Sequence, residues 1–244
     1  LKKQIVWKKS VLACCLSAVL GIGAAAGGVS AVVGSLHFPV VTDTVLGWQH
    51  HMMLGLNKDT NGGYSQADFD YSTSFSSAEE QHAAELKEIG KRLKDFGVGG
   101  YLQHFVKKSA RNYFDGCFGW GGLGETFYTE IFPERGTVLC SLIRSLYYDN
   151  TEDTLYRYPA LFRQILWYMV LVLVPFSVFT KRPLDKKRQV AVLSVLGLML
   201  YLQIFEAHAR YLYTFVPIFV FLATEGIDNL RKYLNQKSER RVKK

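Results

Sequence analysis

Four stretches of this chain contain no Asp, Glu, Lys or Arg: 10–42, 164–180, 189–205 and 211–224, which by their bounds are 33, 17, 17 and 14 residues long. A bilayer core is crossed by about 20 apolar residues, with roughly 17 as a lower limit. The first run exceeds that length and the next two just reach it. The fourth reaches it if Arg210 snorkels outward and the helix continues through Glu225 towards Ile227 and Leu230. The pattern predicts an all-α polytopic membrane protein with about four transmembrane helices and a large, mainly helical extracellular loop domain.

Charge sets the expected orientation. Residues 1–9 hold four Lys and no acid; 181–188 and 225–244 each carry a net +4, whereas 36–160 carries −5. By the positive-inside rule the three basic segments are cytoplasmic and the long loop lies outside, at the plasma membrane. The expected layout is a cytoplasmic end at 1–9, spans at 10–36, 161–180, 189–205 and 211–228, and an outer domain at 37–160. A cytoplasmic connector at 181–188, an outer turn at 206–210 and a basic tail at 229–244 complete it. A net charge of +8 in a soluble chain would raise nucleic acid as a partner. Here the basic residues are used for topology and anionic lipid head groups, so membrane lipid is the expected partner and nucleic acid is not.

The 33-residue first run is too long for a signal-peptide core, so it reads as an anchor. Its Gly23-x-x-x-Gly27 with Ala24, Ala25, Ala26 and Gly28 gives a small-residue face for packing on another helix. In the loop, Ser77-x-x-Glu80 is a capping box ahead of Leu86, Ile89, Leu93 and Phe96, which predicts a helix over 78–96 ending at Gly97. Tyr101, Leu102, Phe105 and Val106 form a second apolar face, with Lys107, Lys108 and Arg111 at its end. Val138, Leu139, Leu142, Ile143 and Leu146 form a third over 137–148. Such helices suit either a cap lying on the outer leaflet or the core of a small extracellular domain.

The charged knot Glu206-Ala207-His208-Ala209-Arg210-Tyr211 stands between the last two apolar runs. Ionisable groups near bilayer depth pair, line a polar cavity or grip a ligand. A hairpin in which Glu206 and Arg210 merely neutralise each other at i and i+4 is the plainer alternative. His50 and His51 are adjacent and so diverge, and with the other histidines scattered no zinc spacing appears. An imidazole donating to a phosphate or sugar hydroxyl is the functional reading for them, and ordinary interfacial histidines are the plainer one. Asp68-x-Asp70 matches the short acidic pair by which sugar transferases hold a metal nucleotide, and a solvated acidic loop is the commoner explanation of so short a match. Cys117 and Cys140 both fall in the expected outer loop, where a disulfide between them is favoured by the oxidising side. Gly116 to Gly124 lacks a Walker ending and reads as a mobile aromatic loop that dips into head groups.

The segment Glu206-Ala207-His208-Ala209-Arg210-Tyr211-Leu212, followed by an apolar helix with Pro217, resembles the Glu-Ala-Arg-x-Arg-Tyr-Leu segment of bacterial polytopic glycosyltransferases of the C superfamily. That group is related to protein mannosyltransferases and lipid A aminoarabinose transferases. His50 to Asn57, then Gly62-Gly63-Tyr64 and Asp68, is similar to a segment of its Gram-positive branch, and so are Glu88 to Leu93, Gly97, Tyr101 and Asp115-Gly116. The likeness runs from about residue 8 to 226. His208 replaces the family's Arg and His51 its Trp. The family carries its catalytic carboxylate in a first outer loop and has around ten spans, so this chain, which opens on Leu1, resembles the C-terminal portion and is expected to hold no catalytic residue.

The resemblance implies sugar transfer from a polyprenyl-phosphate donor to a glycan or envelope acceptor on the outer face. Arg210, Glu206, His208 and Tyr211 are then the donor-phosphate site, with Glu206 fixing the Arg210 guanidinium. His50, His51 and Asp68 are sugar or acceptor contacts. No cofactor is assigned, and a divalent metal stays open. The alternatives are a non-catalytic membrane protein with an extracellular binding domain, and a transporter or flippase fragment whose knot lines a substrate path.

Overall fold

The computed structural model describes residues 2–36, 46–119, 137–147, 155–179 and 184–242. It divides into two units, Leu1–Val45 and Leu46–Lys244. Among the described residues the secondary structure is helical, without strands, and the protein is an all-α polytopic membrane protein. The connector residues 181–183 and the glycine-rich residues 120–124 lie outside the described residues.

The first unit is one helix, α1 (Lys2–Ser35). The part whose apolar character is described, Gly23–Ser35, is by itself shorter than a bilayer crossing. Three other helical segments are long and apolar enough to cross: Arg157–Ser177, Lys186–Ile204 and Ala209–Ser238. Three of the four expected spans therefore qualify, and the last runs well beyond the expected end at 228.

In the second unit α2 (Trp48–Gly55) is followed by α3 (Gln66–Thr73), whose N-cap Ser65 accepts from the Asp68 amide. Next comes α4 (Ala78–Tyr113), capped by the Ser77 side chain accepting from the Glu80 amide at 3.3 Å. The expected stop at Gly97 is a kink rather than an end. Gly97 has φ 54° and ψ −176°, a region almost closed to residues with a Cβ, and helix resumes at once. The third amphipathic piece is α5 (Val138–Tyr147).

The spans are α6 (Arg157–Leu173), extended by a 3₁₀ turn at Val174–Ser177, then α7 (Lys186–Ile204). A 3₁₀ segment at Ala209–Phe215 leads into α8 (Val216–Val242). Trp167, Val195, Leu198, Leu202, Leu212, Phe219 and Leu222 form the core where they meet. Asn229 of α8 donates to the Phe176 carbonyl at 3.0 Å, satisfying an acceptor freed by the 3₁₀ turn at Pro175. Gly226 lets α8 approach this turn closely, since a Cβ there would run into the Leu173 carbonyl.

The end of α4 is fastened between the spans. Trp167 Nε1 donates to the Tyr113 carbonyl at 2.9 Å, and Gln203 Nε2 of α7 donates to Ser109 Oγ at 2.8 Å. The middle of α6 and the last turn of α7 thus both reach the end of α4. A smaller apolar cluster of Met53, Leu56 and Ile89, with Phe96 and Tyr101, seats α2 on α4.

Candidate functional site

The knot opens outside any helix, over Glu206 to His208. Phe205 ends α7 in extended backbone and His208 is extended too, so Glu206 and Arg210 do not stand one helical turn apart. The Ala207 amide donates to the Gly62 carbonyl at 2.6 Å, pinning the segment to the loop before α3. This stitch explains why Gly62 and the knot come together from opposite ends of the sequence.

Glu206 is buried, and its Oε2 accepts from the Tyr211 hydroxyl at 2.9 Å. Arg210 Nη2 donates to that hydroxyl at 3.4 Å, with its guanidinium carbon 5.2 Å from the Tyr211 ring centroid. Glu206 therefore reaches Arg210 through Tyr211, which corrects the expected direct bracing. The extended backbone at 205–208 is the reason. Arg210 itself is exposed.

His208 Nδ1 accepts from the Arg210 amide at 3.2 Å. An amide can only donate, so Nδ1 is unprotonated and the ring proton sits on Nε2. Burial lowers the basicity of His208, the Arg210 charge adds to this, Glu206 opposes it, and Arg111 lowers it further. A neutral imidazole with an Nε2 donor lies between two guanidinium groups. Arg111, from the last turn of α4, donates through Nε to the Ala207 carbonyl at 3.4 Å and lies against the Gly63 backbone.

Beneath the knot, Lys108 is fully buried. Its ammonium donates to the Gly55 carbonyl at 2.8 Å and the Gln203 carbonyl at 2.9 Å. Both are C-terminal helix carbonyls, in α2 and α7, where orphan acceptors and the helix dipole favour a cation. Burial pushes Lys108 down to about 7, while the Glu206 charge acts in the opposite sense. One turn earlier His104 donates from Nε2 to the same Gly55 carbonyl at 3.0 Å. One turn later Asn112 is wholly buried and neither of its amide atoms has a hydrogen-bond partner.

The two adjacent histidines part company, as their spacing requires. His51 comes to the knot, with Nδ1 3.7 Å from Glu206 Oε2 and its side chain 44% exposed. His50 is buried, 2.7 Å from Ser72 Oγ and 3.9 Å from Glu85 Oε1, and burial lowers its basicity. Asp68 is closed off. It takes Arg92 in a two-point contact at 2.9 and 2.8 Å and Asn57 at 2.9 Å. Burial weakens it as an acid, but the bonds from Arg92 and Asn57 outweigh that and hold the carboxyl below the usual carboxylate range. Arg92 also donates to the Met53 carbonyl at 2.9 Å and to Glu88 at 3.0 Å. Asp68 thus fixes α3 and α2 on α4, and His50 and Asp68 are not brought to the knot.

Two expectations are corrected nearby. Cys117 and Cys140 are free thiols, not a disulfide. Cys117 lies in a turn whose amides at Cys117 and Gly119 are held by Asp115 at 2.7 and 2.6 Å, and its thiol meets the Tyr156 hydroxyl instead. In that same turn Phe118 is turned inward rather than out to head groups, packing edge-on against Trp167 at 5.0 Å. At Gly119, φ is +76° and a Cβ would stand 2.5 Å from His208 Cε1, so glycine lets the turn close over the imidazole. Among the described residues, no group of three His, Cys, Asp or Glu is placed to hold a metal ion.

Residues 2–229 match the family described as conserved hypothetical integral membrane protein. The chain belongs to that family. No curated protein and no solved structure matches it. In an integral membrane protein, the ionisable groups Glu206, His208 and Arg210 kept at the junction of two candidate spans mark a candidate site. Sequence reasoning missed Lys108 and Arg111 as members of this site. The signal was present in His104, Lys108 and Asn112, which recur every fourth residue and so share one helical face.

Proposed function

We propose that this protein is the C-terminal part of an integral membrane glycosyltransferase that moves a sugar from a polyprenyl-phosphate donor to an envelope acceptor on the outer face. Arg210, Arg111 and His208 hold the donor phosphate. The observation that carries this reading is that two exposed guanidinium groups flank a neutral imidazole, while the neighbouring Glu206 is already engaged by Tyr211. Guanidinium groups favour phosphate oxygens through paired N–H donors, and the His208 Nε2–H adds one more. As the sugar leaves, charge builds on the donor phosphate, and donors already in place there stabilise it without reorganising. Tyr211 orients Arg210, and His51 stands by the same Glu206 oxygen that Tyr211 bonds. No side chain of this chain is assigned as the base on the acceptor. In this reading both described ends are cytoplasmic and the knot faces outward.

The test is Arg210→Ala in the full-length protein, assayed in proteoliposomes with a polyprenyl-phosphate sugar. Transfer falls at least about 100-fold while membrane insertion is unchanged, as for loss of one preorganised donor at developing charge. Arg111→Ala gives a smaller loss, carried mainly by donor KM. Unchanged transfer in Arg210→Ala removes the knot from the site.

A further inference from the structure

The second half of α4, residues 98–113, is built inside out. Its buried face is polar: His104, Lys108 and Asn112 are 4%, 0% and 0% exposed. Its outward face is apolar, with Val98, Leu102, Phe105 and Val106 at 83%, 62%, 40% and 66% exposed and Phe114 continuing the stripe. A helix on a water-facing domain would show the reverse pattern.

Its position says what covers that face. Lys108 bonds to the Gln203 carbonyl in the last turn of α7, and Gln203 bonds back to Ser109. Just past the helix, the Phe114 carbonyl accepts from Gln164 at 2.5 Å and from the Tyr168 hydroxyl at 3.2 Å, both on α6. Residues 98–113 are therefore tied to the last turn of the candidate span Lys186–Ile204, the end at which acyl chains meet head groups, while Gln164 and Tyr168 stand inside the candidate span Arg157–Ser177. Lys107 and Arg111, both exposed, border the apolar stripe and supply cations where lipid phosphates lie.

We infer that residues 98–106 form an interfacial helix whose apolar face is seated in the lipid of one leaflet. Its buried polar face is the floor of the knot, so the bilayer surface itself sets the height of Lys108 and Arg111 relative to the span ends. The inference stands whether or not the protein transfers sugar, because it needs only the helix, its anchors and a membrane.

The test uses the full-length protein with its native cysteines replaced, reconstituted in phosphatidylcholine vesicles containing some phosphatidylglycerol. An environment-sensitive fluorophore is placed by Leu102→Cys or Phe105→Cys, and by Glu79→Cys as the exposed control on the first half of α4. Nitroxide-labelled lipid quenches the probes at 102 and 105 at least about threefold more than the probe at 79, and aqueous iodide shows the opposite order. Equal iodide quenching at all three positions overturns the inference by placing the face in water. Protection from both quenchers also overturns it, because protein then covers the face. In the unsubstituted protein, an acyl-chain photoreactive lipid forms adducts on the 98–106 peptide, and their absence sinks the proposal independently of any variant.

Discussion

Lys108 holds a charge where solvation is poorest and two helix ends are nearest. The ammonium loses water on burial, and the carbonyls of Gly55 and Gln203 return only part of that loss. With its folded value lowered to about 7 from 10.5, the native state binds fewer protons than the unfolded state between those values. Stability must therefore rise with pH across that window. Comparing the protein with Lys108→Met by denaturant titration in mild detergent, the wild type gains on the variant from about pH 7 to pH 10, with a slope of about 1 kcal/mol per pH unit. A flat difference would place the ammonium in contact with water. The acid-side counterpart is Asp68, whose carboxyl is held low by Arg92 and Asn57. Its contribution is present above the ordinary carboxylate range and is lost as pH falls through its lowered folded value. Arg92→Ala costs about 3 kcal/mol at pH 7, because it leaves a buried carboxylate short of its partner, and the cost shrinks below about pH 4. Thermal scans at about pH 7 and about pH 3 check both halves of that statement. Neither pairing was legible in the sequence. Asp68 looked like a ligand residue because a short acidic motif carries no information about an arginine 24 positions away.

At the scale of elements, the kink at Gly97 decides where α4 points. The two halves were expected as separate helices, and the periodicity of Leu86, Ile89, Leu93 and Phe96 located the break correctly. Glycine there is required by φ 54° with ψ −176°, not by crowding, since a Cβ would meet nothing within 4 Å. Gly97→Ala therefore costs about 1 to 3 kcal/mol or straightens the helix. Straightening would draw Lys108 off the Gln203 carbonyl, so spin-label distances between residue 86 and residue 102 lengthen in the variant. An unchanged distance with unchanged stability would show that the kink is not held by glycine. Amphipathicity was equally visible in advance, but its sense was not. Periodicity reports that one face differs from the other, and burial alone reports which face is turned inward.

For the whole molecule, charge gives an expected orientation, and fusions test it. Reporter domains inserted at residue 100 and at residue 185 are expected to report the outer and cytoplasmic sides respectively, by the excess of Lys and Arg at 1–9, 181–188 and 225–244. The opposite pair of signals overturns the arrangement and with it the outward-facing knot. Three candidate spans were legible because an uncharged run is a property of consecutive residues, and consecutive residues are what a helix places together. That the chain is helical, that it belongs in a membrane, and that Glu206 to Tyr211 interrupts its apolar end were determined by the sequence alone. Which polar groups meet at that interruption was decided by tertiary structure. Gly62, His51, Arg111 and Lys108 reach the knot from far along the chain, and polar groups pair by three-dimensional distance and direction, neither of which is encoded in spacing.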